Sequence, residues 1–434
     1  SLERVEGTLR LGAPDEREDA ATAPPVDALG SLARAALPSL RSVGGIVVEG
    51  NDALAHLSLP ALEGVEQTGV RVRFNPRLET LSDAFPRLVK VVGPFVVGGG
   101  QRILRRRERD ERGVTRLVEY GRAPRHGNDV LRNVELPALV YGEALEIGDN
   151  PALRTVDAPA VTKLVALSLS GSAQLRSASF ERLESLGGAG WEGGLALTST
   201  PAVQLFTPRL ATVHGRLALS DTAFADLTML ASLVQVNGFV VLFGNSRLTS
   251  LRGLEGLRSV EQLQLQYNDA LKSLAGLDGL EVVLGGVSLE GNGLETAELP
   301  RLRSVDKVEV LQELNLRRLA LPALERAPGG VFVRECEALE ALAFPRLATT
   351  GALHLAAGSA PLPEVAFPLL REATGALEVA ETLGSFAPLG SLERVGGDLR
   401  VRSSLLADSA IQAFVAQLRA RRGIGGVVDA TGVP

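Results

Sequence analysis

Four histidines and one cysteine are the residues of this 434-residue chain best suited to ligate a metal or begin nucleophilic chemistry. They are His56, His126, His214, His354 and Cys336, scattered through the sequence, and no two histidines have the spacing of a zinc-binding helix. A lone cysteine excludes an intrachain disulfide and any cysteine-cluster metal site. No histidine lies beside Cys336 to activate it, so it reads as a packed thiol. Neither G-x-x-x-x-G-K-[ST] nor G-x-S-x-G occurs. Gly98-Gly99-Gly100 reads as a turn, because no strand-to-helix context of a phosphate loop surrounds it. Carboxylate pairs are frequent, but 51 acidic residues guarantee that. The expectation is no catalytic residue, no metal and no cofactor; the chain reads as a non-enzyme.

Charge and exposed rings leave two candidate binding surfaces. Between Gln101 and Gly127 stand Arg102, Arg105, Arg106, Arg107, Arg109, Arg112, Arg116, Arg122 and Arg125 against four acids, a net +5. Asp110-Glu-Arg-Gly113 divides this stretch like a hairpin turn. Tyr120 is its one stacking ring, and single-strand binders interleave several. With a chain charge of -6, nucleic acid is not the expected partner. A polysaccharide, a lipid headgroup or an acidic protein suits the arginines better. The second surface is made of outward strand positions. Val241, Phe243, Gln264, Gln266, Phe332 and Arg334 are bulkier than a solvated strand face needs, and rings beside Arg are enriched at interfaces.

The elements that carry these residues come from a repeat. Units opening on Leu-x-x-Val (or a close variant) start at Leu2, Leu40, Leu62, Leu88 and Leu139, then at Val161, Leu183, Leu210, Leu233, Leu257 and Leu280. They continue at Leu302, Leu324, Leu347, Leu370 and Leu392. From Leu139 onward the steps are 22 to 24 residues, with one of 27, the mark of a solenoid. Each unit has a short alternating run, such as Leu217/Leu219 or Val287/Leu289, expected to be a half-buried strand in a parallel sheet. A following Leu-x-x-Leu builds a second wall, so two sheets joined by turns are predicted. Leu-Pro pairs (Leu59-Pro60, Leu299-Pro300) are expected to fix extended corners. Asn51, Asn75, Asn150, Asn245, Asn268 and Asn292 recur after the strand and suit buried rungs that satisfy backbone groups from coil to coil.

This unit, L-x-x-V-x-G-x-L-x-(I/V/L)-x-x-N-x-x-L-x-x-L, resembles the receptor L-domain branch of leucine-rich-repeat-like proteins. That branch includes insulin and EGF receptor ectodomain L domains and bacterial surface proteins. The segments after the Asn read as extended rather than helical, and the cysteines of animal receptor domains are missing. The resemblance implies a mainly β fold: an elongated right-handed parallel β-solenoid of about 16 coils with a C-terminal capping helix. It also implies an exported binding or adhesion module at the cell surface; an Ala-, Arg- and Gly-rich, Lys-poor composition fits a bacterial one. The expected partner is a protein or polysaccharide, bound without turnover. The alternative is a structural subunit of a surface assembly.

The expected organisation is one continuous solenoid over 1–434 with two insertions and a cap. An acidic loop at 12–29, net -4, is expected to lie against the Arg-rich β-hairpin at 98–127. Their coils are three apart, about 14 Å at the interstrand spacing. The cap covers 407–434. There Ile411, Phe414, Val415 and Leu418 form a helical stripe after Asp408, and Arg419 to Arg422 suit the helix C-terminus. Gly425 to Asp429 is expected to return as a strand. No run reaches the ~18 apolar residues of a membrane span. The chain opens in mid-repeat, so upstream residues, including an export signal, are expected before Ser1. An uncapped first coil offers an edge for self-assembly.

Overall fold

The computed structural model describes residues 2–12, 33–99, 103–109, 115–122, 127–188, 193–201, 203–358 and 361–433, with the backbone path alone for 103–109, 115–122, 404, 432 and 433. Among the described residues the chain is mainly β, an array of stacked parallel coils with one α-helix near its C-terminal end. Its contacts divide it into two compact units. Unit 1 is Ser1–Gly188 with Glu192–Arg209, and unit 2 is essentially Leu210–Pro434.

In unit 1 the front sheet is made of β1 (Arg4–Leu11), β2 (Ser42–Glu49), β3 (Gly64–Arg73) and β4 (Lys90–Val97). After a hairpin of β5 (Ile103–Arg109) and β6 (Thr115–Arg122), it continues with β7 (Tyr141–Gly148), β8 (Lys163–Ser170) and β9 (Gly194–Thr198). Every front pair is parallel, and β4 pairs directly with β7 past the hairpin. Behind them, three-residue strands such as Asn133–Glu135, Thr155–Asp157 and Ser177–Ser179 pair in the same direction. The inward Leu and Val of both walls are sealed, with Phe85 and Phe95 meeting edge to face at 5.5 Å between them.

Unit 2 repeats the plan. Its front strands are β10 (Arg216–Ser220), β11 (Phe239–Phe243), β12 (Gln262–Gln266), β13 (Val282–Glu290), β14 (Ser304–Leu311) and β15 (Gly330–Arg334). Then come β16 (Leu353–Ala356), β17 (Leu377–Ala380), β18 (Leu399–Ala407), α1 (Asp408–Ala420) and β19 (Val428–Val433). Each front strand pairs parallel with the next, and β19 with β18. The α1 stripe Ile411, Phe414, Val415 and Leu418 is buried, and Phe414 stacks on Phe386 at 4.1 Å.

Three local details differ from the sequence reading. The Leu-Pro pairs do not make extended corners. Pro60 and Pro300 stand inside hydrogen-bonded turns, closed by Leu62 N–H to the Leu59 carbonyl and by Leu302 N–H to that of Leu299. The fixed φ of proline suits the first corner of such a turn. Second, the rear wall is not strand throughout: the coils of Leu251/Leu254 and Leu274/Leu277 turn there instead. Gly253 (φ 110°) and Gly276 (φ 108°) take a backbone form closed to other residues, and a Cβ on either would strike the backbone of the coil before. Third, α1 begins at Asp408 itself, behind Ala407, with no side-chain cap.

A polar column runs beside each front sheet. In unit 1, Asn51 Nδ2 donates to Asn75 Oδ1 at 2.9 Å, Asn75 to Asn128 at 3.2 Å and Asn128 to Asn150 at 3.1 Å. In unit 2 the column is Thr222, Asn245, Asn268, Asn292 and Glu313. The residue before most rungs is left-handed: Gly50, Gly244 and Gly291, but also Phe74, Asp149, Asp221, Tyr267 and Gln312 at φ 52–56°. A side chain there costs about 1–2 kcal/mol over glycine.

Candidate interaction face

Strand register brings the outward residues of unit 2 into two rows. One runs Ala218, Val241, Gln264, Ser288, Glu309, Phe332, His354, Glu378, Arg400. The other runs Ser220, Phe243, Gln266, Glu290, Leu311, Arg334. Five of the six sheet-face candidates are at least partly open to solvent. Val241 is the exception: only 8% of it is exposed. It is short and branched, and lies between outward Phe239 and Phe243 on its own strand and Gln264 on the next.

The face has two sectors. Across β11 and β12 it is amide and aromatic. Phe243 and Tyr267, 38% and 44% exposed, meet edge to face at 5.6 Å. The Tyr267 hydroxyl donates to Glu290 Oε1 at 2.8 Å, and Gln266 Nε2 donates to Glu290 Oε2 at 2.7 Å. This contact raises the Tyr267 pKa, because the carboxylate favours the protonated phenol. Gln262 and Gln264 are half-buried, and their side-chain amides have no partner among the described residues.

From β14 to β18 the face is ionic. Phe332 lies under Lys307 Nζ (4.9 Å from the ring centre) and Arg334 (5.5 Å), while the His354 ring meets its edge at 4.8 Å. Lys307 pairs with Glu309 at 2.8 Å, Arg334 with Glu309 at 3.5 Å, and His354 Nδ1 lies 3.7 Å from Glu378. Burial lowers the His354 pKa; Glu378 works against it, while Arg334 and Arg400 add to the lowering. These exposed pairs add little stability, about 0–1 kcal/mol each. Their physical effect is to hold Phe332 between fixed charges.

Tyr267 and Lys307 stand outside the sheet-face candidates named from the sequence. Tyr267 had a findable signal: it precedes the Asn268 rung, where glycine is the easy choice. Lys307 had one too, two residues before Glu309 and so on the same face.

The arginine hairpin is seen as backbone. β5 and β6 pair antiparallel, with Arg105 opposite Glu119 and Arg109 opposite Thr115. The side chains of Arg105, Arg106, Arg107, Arg109, Arg116 and Tyr120, all of Arg102 and Arg112, and the acidic loop from residue 13 on lie outside the described residues. The proposed contact between loop and hairpin lies outside them as well. At the base, Gly98 and Gly127 pack against the carbonyls of adjacent residues, Gly148 and Asp149. The two ends of the excursion therefore lie close together.

Chemistry finds little foothold among the described residues. Burial pushes the Cys336 thiol up to about 12, which keeps it protonated and unreactive. No group of three or more His, Cys, Asp or Glu is placed there to hold a metal ion. No described helix is long and apolar enough to cross a membrane.

No family model and no curated protein matches this chain. One solved structure, the crystal structure of a TLR13–ssRNA13 complex, aligns over 98% of this chain and 73% of its own length. The identity is 13% and the TM-score 0.31. Likeness at that level adds nothing to a fold already assigned from strand pairing.

Proposed function

We propose that this chain is a non-enzymatic binding scaffold, working outside the cell or on its surface, that recognises a protein or glycan through the outer face of unit 2. The observation that carries this reading is the Phe243–Tyr267 pair. Two rings stand open to solvent on neighbouring coils, one of them on a left-handed backbone that glycine would occupy at lower cost. Both rings lie outside the buried core of their coils. The amides of Gln262 and Gln264, without partners among the described residues and on the strand that leads to Tyr267, suit a hydroxyl-rich neutral glycan. The Phe332 clasp, a ring under two cations, suits a protein partner.

The test is binding of the full chain to an array carrying neutral glycans and extracellular proteins, repeated with Phe243→Ala/Tyr267→Ala. The reading expects hits that weaken at least tenfold in the variant; hits that survive would move recognition off this face. Surface location is checked separately, by protease shaving of intact producing cells: release of the chain is expected, and full protection would overturn it.

A further inference from the structure

The unit 2 ladder changes chemistry at one rung. Thr222, Asn245, Asn268 and Asn292 are neutral, and each asparagine offers amide hydrogens to the coil before it: Asn245 to the Leu219 carbonyl, Asn268 to Leu242 and Asn292 to Leu265. Glu313 takes the next place and is completely buried. Its Oε1 accepts both the backbone N–H of Asn292 (3.1 Å) and its Nδ2 (2.6 Å). Its Oε2 is sealed from solvent and has no hydrogen-bond partner among the described residues. An ionised carboxylate there would hold charge on an atom with nothing to compensate it, and a buried charge needs a partner.

The neighbours do not supply one. From the coil before, the acting charge is the carboxylate of Glu290, already shared by Gln266 and Tyr267. From the coil after, the next rung is the neutral thiol of Cys336, and Glu335 before it accepts from Gln312. Among the described residues, the ionisable groups that act on Glu313 are acids: Glu290 on one side and the Cys336 thiol on the other. Burial raises the Glu313 pKa first and Glu290 adds to this, while the hydrogen bonds from Asn292 and the nearby backbone N–H of Leu294 oppose them.

We propose that Glu313 fills its rung as a carboxylic acid, and that ionising it loosens the ladder between Asn292 and Cys336. The acid keeps the two bonds from Asn292 on its carbonyl oxygen. Its hydroxyl removes the charge from Oε2 and provides a hydrogen, as the amide does at each asparagine rung. On ionisation that proton leaves to solvent, and the charge is relieved by opening the coil edge at Asn292–Leu294. The same edge carries Glu290, which holds Tyr267 and Gln266 of the recognition face. This makes the face proton-sensitive through its scaffold.

The sign follows from the raised pKa. The stabilisation is complete below the unfolded value near 4.5 and is lost as pH rises toward the folded value. The experiment is urea unfolding of the full chain and of Glu313→Gln from pH 4 to pH 8. Glutamine keeps the acceptor and restores the amide hydrogens, so its rung does not titrate. The folding constant of the wild type relative to Glu313→Gln is expected to fall by up to tenfold per pH unit across part of that range. A ratio constant from pH 4 to pH 8 overturns the proposal. Should the variant fail to fold, wild-type hydrogen exchange decides. Protection at Asn292–Leu294, corrected for intrinsic rates and taken relative to Asn268, is expected to drop as pH rises; a constant ratio overturns it.

Discussion

Asn268 shows what a rung does. Its amide donates to Asn292, to the Leu242 carbonyl and to the Gln266 carbonyl, and its Oδ1 accepts twice from Asn245. Replacing it by alanine leaves buried groups on three coils without partners, and each such group costs about 1–3 kcal/mol. Asn268→Ala should therefore cost about 3 kcal/mol or more in urea unfolding, against less than about 0.5 for exposed Asn237→Ala. Cys336 should resist a thiol reagent at pH 8 in the native chain and react only on unfolding. His354 is held down by burial and lifted by Glu378. Its folded-state contribution is present above its ordinary value and is lost as pH falls. Glu378→Gln should push the His354 midpoint lower still, as an NMR titration of its ring would show.

The asparagine rungs were readable because the residue type itself recurs at a fixed distance. Glu313 was not, because a search for asparagine stops at Asn292. The period alone, 21 residues on, would have pointed to it. The Phe332 clasp was hidden for another reason. Arg334 meets Glu309 across 25 residues of sequence, and only strand register brings them together.

Among the elements, the front strands follow from their inward Leu and Val, and α1 from its stripe. The stripe is a cap by packing: Phe414 stacks on Phe386, and Leu418 and Ile411 are sealed. Phe414→Ala should cost about 3–5 kcal/mol, with hydrogen exchange rising first in β18 and β19. The rear wall was harder to read, because Leu-x-x-Leu serves both a three-residue strand and a turn. Gly253 and Gly276 decide for the turn through their positive φ. The hairpin of β5 and β6 leaves and returns at neighbouring points, Gly98 and Gly127, while Asn128 keeps its place in the ladder. Replacing 100–126 by a short Gly-Ser link should leave the melting temperature of the chain unchanged.

For the chain as a whole, the repeat separates scaffold from surface. Nearly every position that defines the repeat is buried, so the repeat specifies a fold and leaves recognition to residues that vary between coils. Those are the outward rows of unit 2 and the arginine hairpin. The most direct measurement is the affinity of array-identified partners for three forms of the full chain: wild type, the hairpin replacement, and Phe243→Ala/Tyr267→Ala/Phe332→Ala. A face in unit 2 predicts unchanged affinity for the hairpin replacement. It predicts at least a tenfold loss for the triple variant, with the melting curve of the wild type retained. Full affinity in the triple variant, with loss on removing the hairpin, would contradict it.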